Sequence, residues 1–419
     1  MTTNAITHLE CTICSANYEA QPGRYTCDDC GEAGTLDVRY DYDLVGSTLN
    51  QESLAANRDV TMFRYSDLMP IAPDAVPTPL TVGGTPLYLA PLLASKVGVR
   101  SLWIKDEGRE PTASMKDRAS AIAILKAQEQ GAEIITTAST GNAAAALAGI
   151  AASVGQKSVI FVPASAPQAK VAQLLAFGAT VVLVDGNYND AFELATEAVG
   201  KWGWYNRNTG VNPYVAEGKK TVALEIVEQL GFSPPDAIFV SVGDGSIIGG
   251  VHKGLKDALA LGWIDTMPRI YGIQAAGSDY MTRAFESGAD VATMPAISAT
   301  TSADSISADL PRDRVKALAA VVDTGGAYLR VEDDHILRAI PEIAAATGVF
   351  AEPAASAAYA GLEVAAKQGL VGPEDHVVVI STGSGLKDVP SVLAGVSAIG
   401  AEPIRVPPSL GALETAMDR

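Results

Sequence analysis

The chain has 419 residues, 48% hydrophobic and 19% charged, a balance that fits a globular protein of two or three domains and excludes a disordered or fibrous one. Its formal net charge of −18 argues against nucleic acid or an anionic membrane as a partner. No basic start with an apolar stretch opens the chain, and its most apolar run, AAAALAGIAASVG (143–155), is too short to span a bilayer, so the expected setting is cytoplasmic.

The first feature along the chain is its four cysteines. Cys11, Cys14, Cys27 and Cys30 read C-x2-C, twelve residues, C-x2-C. Each C-x2-C can hold two thiolates on one tight knuckle, and two knuckles complete a tetrahedral zinc site. The glycines of DDCGEAGTL suit a knuckle turn. A disulfide pairing and a ribbon that has lost its metal are the competing readings. A closed four-thiolate site leaves no position for a substrate, so residues 1–40 are expected as a zinc-ribbon-like segment without catalytic work. A polar connector, 41–78, follows.

Pro-rich IAPDAVPTPLTVGGTP then opens a body of alternating apolar runs and helical stretches. SLWIKDE, EIITTAS, KSVIFVP, ATVVLVDG, AIFVSVG, RIYGIQAAG and HVVVIST are continuous apolar strands, the pattern of a sheet covered on both faces. KDRASAIAILKAQEQG and GNAAAALAGIAASVG are helices between them. This alternation predicts α/β architecture with mostly parallel sheets. Ligands in such folds sit at the carboxyl ends of the strands, so the loops after strands matter most.

Four such loops stand out: EPTASMKD, STGN (Ser139–Asn142), GDGSIIGG (Gly243–Gly250) and STGSG (Ser381–Gly385). Each has an ordinary reading. Lys116 could lie on a solvated helix face, STGN could be a helix cap, and GDGSIIGG could be a tight turn. A glycine-rich loop from strand to helix can equally hold a phosphate on backbone N–H groups. It is not a P-loop, because no G-K-[S/T] follows, and no G-x-G-x-x-G opens the first βαβ unit.

Taken in order, VGGTPLY, PTASMKDR, ASTGNAAA, NPYVAEGKKTVALEI, AEPAAS and STGSGLKD are similar to the motifs of pyridoxal-phosphate (PLP) enzymes of fold type II, and the set resembles the threonine synthase family over nearly the whole chain. The resemblance implies a two-domain α/β fold like the tryptophan synthase β subunit. It divides the chain into a large PLP-binding domain (79–118 and 206–395), a small α/β domain (119–205) and a tail (396–419). It also implies a homodimer acting on a small amino acid. Lys116 would hold PLP as an imine and then act as the base at the substrate Cα, with small Ala113 and Ser114 letting the ring lie against the backbone. Asn142 would bond the cofactor's phenolic oxygen, and Ser139, Thr140 and Gly141 would receive the substrate carboxylate. Gly243, Asp244, Gly245, Ser246 and Ile247 would hold the cofactor phosphate. Thr382 would sit at the pyridine nitrogen, and a hydroxyl there favours elimination and replacement chemistry. Glu352 falls near the cofactor in the family, or is simply a carboxylate at a helix start beside Pro353.

The chain departs from the family where a substrate phosphate is bound. The family's N-S-x-N-P-x-R becomes TGVNPYV, with Thr209, Gly210 and Val215 at the asparagine, serine and arginine. Asp244 replaces an amide, and Ser307 another arginine. Loss of charge-assisted donors leads to the expectation of a PLP-dependent lyase for an unphosphorylated amino acid, working by elimination or replacement. The alternative is a true threonine synthase converting O-phosphohomoserine to threonine and phosphate, with Lys105, Arg109, Lys219 or Lys220 as substitute ligands. A PLP-binding scaffold with a ribbon for a protein partner is opposed by intact Lys116, Asn142 and Thr382.

Overall fold

The computed structural model describes residues 5–417. The N-terminal strands β1 (Ile6–Cys11), β2 (Asn17–Tyr18), β3 (Thr26–Cys27) and β4 (Gly31–Tyr40) form an antiparallel sheet in the order β2-β1-β4-β3. It is fastened to the body. Leu36 and Val38 of β4 are fully buried, and Lys316 Nζ donates to the Leu36 carbonyl (2.6 Å) and pairs with Asp37 (2.8 Å). The Tyr40 hydroxyl donates to Glu217 (2.7 Å).

Residues 41–78 carry two short helices. Tyr42–Thr48 is capped by Asp41, and Gln51–Ala56 by a reciprocal Asn50–Ser53 capping box. Met62, Tyr65 and Leu68 then enter the core, and the Tyr65 hydroxyl donates to Glu228 (2.5 Å).

Two parallel sheets follow. The larger takes β5 (Leu87–Leu89), β6 (Ser101–Asp106), β11 (Ala237–Ser241), β12 (Arg269–Ala275), β13 (Tyr328–Val331) and β14 (His376–Ser381). Their order is β13-β12-β11-β14-β6-β5, with only β5 antiparallel. The smaller sheet takes β7 (Ile134–Ala138), β8 (Lys157–Pro163), β9 (Thr180–Val184) and β10 (Tyr205–Asn206), in the order β10-β7-β8-β9.

Alternation along each strand divides the cores. In β14, Val377 and Val379 pack with Tyr359 and Leu362 of the helix Pro353–Lys367, while Val378 and Ile380 face the opposite cluster with Val251 and Leu255 of the helix Ser246–Ala260. In the small sheet, Ile160 and Val162 meet Ala144 and Ala148, and Val159 and Phe161 meet Ala191 and Ala195. Alanine-rich helix faces thus let the helices lie close to the sheet. The helices Lys116–Glu129 and Tyr214–Gln229 approach closely enough that a Cβ on Gly218 would fall 2.1 Å from the Arg118 carbonyl oxygen.

The strands legible in the sequence all form. The edge strands β5 and β13 and the two-residue β10 add to them, each too short or too mixed in polarity to carry a periodic signal. Among the described residues, no helix is long and apolar enough to cross a membrane.

Candidate active site

Because β14 lies between β11 and β6, the loops after these three strands emerge side by side. Backbone bonds join the loops after β6 and β14. Met115 N–H donates to the Thr382 carbonyl and Ser384 N–H to the Ala113 carbonyl (both 3.0 Å). Glu352 N–H donates to the Gly383 carbonyl (3.0 Å). The turn before Lys116 is held from within, where Asp117 accepts from both the backbone and the hydroxyl of Thr112 (2.6 and 2.5 Å). Ala113 takes φ +64° in this turn, a left-handed conformation that favours glycine. Lys116 is therefore the first residue of its helix and opens onto the cleft rather than onto solvent.

That cleft, about 640 Å³, lies between the two sheets. It gathers Lys116, Ser139, Thr140, Gly141, Asn142, Gly243, Asp244, Gly245, Ser246, Ile247 and Thr382, so the structure brings every expected cofactor- and substrate-binding residue to one place. Glu352 joins them and accepts from Asn142 Nδ2 (2.9 and 3.1 Å). A side chain at position 383 would strike that carboxylate, 2.5 Å from Glu352 Oε1.

Two helices present uncapped N-termini here. Asn142–Ser153 follows Gly141, and Ser246–Ala260 follows Gly245; neither has a side-chain cap. Free N–H groups at a helix start favour an anion. Gly245 has φ +86°, and an added Cβ would lie 2.7 Å from Ala317 Cβ; one on Gly243 would lie 2.8 Å from Ile306 Cα. The loop is thus a cradle of bare backbone. These features fit a phosphate on the 243–246 loop and a carboxylate at 139–142, which is the donor set that PLP and an amino acid require.

The lysine amine is chemically prepared. Removal from water, aided by the nearby Arg207 charge, lowers the Lys116 pKa, with Glu352 and Asp244 opposing. Burial raises that of Glu352 against the pull of Asn142 and Lys116. Among the described residues, no hydrogen bond from the Lys116 amine is formed.

The four spare cations separate. Lys105 Nζ is spent on the Thr85 carbonyl, Glu225 and Gln229. Lys220 pairs with Glu217 and Asp257, and Arg109 with Asp106. Only Lys219 lines the cleft, where it donates to Ser246 of the phosphate cradle. Burial, with Arg207 and Lys116 nearby, holds its pKa well below the ordinary lysine range. Sequence reasoning missed Arg207, Asn208 and Arg312, which also line the cleft. The signal available was weak: a polar run after the two-residue strand β10.

In the N-terminal sheet, the four cysteine sulfurs lie within 4.8 Å of one another, Cys14 and Cys27 at 3.6 Å. A tetrahedral zinc with Zn–S about 2.3 Å separates its sulfurs by about 3.8 Å, so the cluster is compatible with zinc.

Residues 78–383 match the family described as pyridoxal-phosphate dependent enzyme. The threonine synthase of Methanosarcina acetivorans is 38% identical over 92% of this chain and 93% of its own length. That of Methanocaldococcus jannaschii is 34% identical over 94% and 96%. Among solved structures, the processed form of threonine deaminase isoform 2 from Solanum lycopersicum has a similar fold, with TM-score 0.64, 24% identity, and coverage of 76% of this chain and 88% of that one.

Proposed function

Because the chain belongs to the pyridoxal-phosphate-dependent enzymes of the threonine synthase family, we propose that it converts O-phosphohomoserine and water to threonine and inorganic phosphate. The observation that carries this reading is convergence: the lysine loop, the carboxylate loop, the phosphate cradle and Thr382 meet in one cleft. The relatives named threonine synthase align with the chain over more than nine-tenths of its length.

PLP, when bound, supplies an electron sink that makes the substrate's α-proton removable. Every other part falls to the chain. The bare N–H groups after Gly245, with Ser246 and Lys219, hold the cofactor phosphate, and the helix start at Ser139–Asn142 orients the substrate carboxylate. Burial, which lowers the Lys116 pKa, favours the neutral amine, the form that can take a proton. Asn142 and Glu352, bonded to each other, border the lysine. The Thr382 hydroxyl, which lines the cleft, would meet the ring nitrogen.

Gly210, Val215 and Ser307 point toward an unphosphorylated substrate when read from sequence alone. Val215, however, is packed in the apolar core, so an arginine's absence there says little about the cleft, which holds cations of its own. The test is a comparison of phosphate and 2-oxo acid release from O-phosphohomoserine, serine, threonine and diaminopropionate. Threonine and phosphate from O-phosphohomoserine are expected, and Lys116→Ala should abolish both. Release of 2-oxo acid from serine or threonine, with O-phosphohomoserine untouched, would make the protein an ammonia-lyase. We also propose that Cys11, Cys14, Cys27 and Cys30 hold a structural zinc, supported by their sulfur spacing.

A further inference from the structure

Two consecutive residues after β10 hold donors that the protein does not use. Arg207 is 1% exposed and Asn208 3%. Arg207 Nε donates to Ser120 (3.3 Å) and Nη1 to Thr209 Oγ1 (3.2 Å), but Nη2 is buried without a partner. No carboxylate hydrogen bonds to this guanidinium among the described residues. Asn208 Nδ2 is also buried and unpartnered. Its amide cannot simply be turned over, because Oδ1 already accepts from the Thr137 hydroxyl (2.8 Å) and the Ala138 N–H (3.0 Å). A buried guanidinium nitrogen and a buried amide nitrogen without acceptors are costly to keep in one cleft unless an acceptor completes them, and an anion supplies it.

A second guanidinium comes in beside this segment. Arg312 lines the same cleft, and its guanidinium lies 3.9 Å over the Phe192 ring. It can approach because position 210 has no side chain: a Cβ on Gly210 would fall 2.3 Å from Arg312 Cβ. The glycine that removes a serine donor is the one that admits this arginine.

The 243–246 cradle and Lys219 would serve the cofactor phosphate. We therefore propose that Arg207, Asn208, Thr209 and Arg312 form a second anion site, one that holds the phosphomonoester of the substrate. The site rests on the threonine synthase reading and replaces, with different residues, the donors lost at Gly210, Val215 and Ser307.

The test uses the holoenzyme and two variants, Arg207→Gln and Arg312→Ala, the second guarding against misfolding of the first. Each should raise KM for O-phosphohomoserine by about 10- to 100-fold, more than it lowers kcat, the loss of one charge-assisted pair. Inhibition by inorganic phosphate should weaken in parallel, and cofactor affinity should stay as in the wild type. Arg207→Lys should recover part of the loss, and Val215→Arg should gain nothing. If the wild type turns over O-phosphohomoserine and both variants keep its KM and its phosphate inhibition, the second site is wrong and the threonine synthase reading stands. If the wild type leaves O-phosphohomoserine untouched, that reading fails, and calorimetric binding of inorganic phosphate to the holoenzyme decides the site. Binding that is lost in Arg207→Gln upholds it, and no binding by the wild type overturns it.

Discussion

Gly245 and Glu352 carry the residue-scale consequences of the cleft. Gly245 combines φ +86° with a neighbour 2.7 Å from where a Cβ would go, so Gly245→Ala has to distort the cradle. Its affinity for PLP should fall at least ~10-fold, about 1.4 kcal/mol, in a titration of the apoprotein followed by cofactor absorbance; unchanged affinity would move the phosphate elsewhere. Glu352→Gln keeps the contact to Asn142 but removes a charge that supports the Lys116 proton. The lysine's pKa, already below the ordinary range, should fall further, and the alkaline-side profile of the cofactor spectrum should shift to lower pH. At this scale the sequence was informative where chemistry and loop position coincide. Lys116, Asn142, the glycine cradle and Thr382 each follow an apolar strand, and all reach the cleft. It was uninformative for cations. Lys219 and Lys220 are neighbours in sequence, yet one faces the cleft and the other is spent on Glu217 and Asp257, because a carboxylate partner 37 residues away leaves no local mark.

At the scale of elements, a buried charge network ties the lysine loop to the large body. Arg118, behind Lys116 on the same helix, bonds Glu107 and Glu225, and lies 3.0 Å from Glu110; Lys105 on β6 shares Glu225. Two cations face three carboxylates. The count balances because burial, with Glu107, Asp117 and Glu225 nearby, holds Glu110 well above the ordinary carboxylate range despite Arg118. Glu225 goes the other way: burial opposes its charge, but Arg118 and Lys105 outweigh that and hold it below its usual 4.5. A carboxylate with a lowered pKa stabilises the fold above its unfolded value and loses that contribution as pH falls through the folded one. Acid should therefore weaken the protein below about pH 4.5. Glu225→Gln should cost about 3–5 kcal/mol at neutral pH, and its denaturant midpoint should depend less on pH below 4.5 than the wild type's. A variant as stable as the wild type would show that the network is dispensable. The helix itself was legible as KDRASAIAILKAQEQG, but its hydrophobic face was not, since Asp117, Arg118 and Ser120 are as buried as its alanines.

Across the whole molecule, the cysteine-bearing sheet is a docked part of the body, held by Lys316, Glu217 and the core side chains of β4. One zinc per chain should copurify under reducing conditions without chelator. Its removal should make residues 5–40 sensitive to protease before activity falls, since Cys14 and Lys116 lie on separate elements with no shared bond. Activity lost in step with the metal would contradict that order. The strand order has a further consequence, in the time the chain takes to be made. β14 sits in the middle of the large sheet and pairs with β6 across 275 residues, Ser101 lying against His376. At about 5–20 residues per second, synthesis separates the two strands by roughly 14–55 s. Throughout that interval β6, joined partway by β11, lacks the strand that lies between them, and two faces of the cleft stand apart. The cofactor has nowhere to bind until the end of the chain arrives, so a nascent chain stalled before His376 should be unable to take up PLP, and its exposed strand edges should make it a client for chaperones.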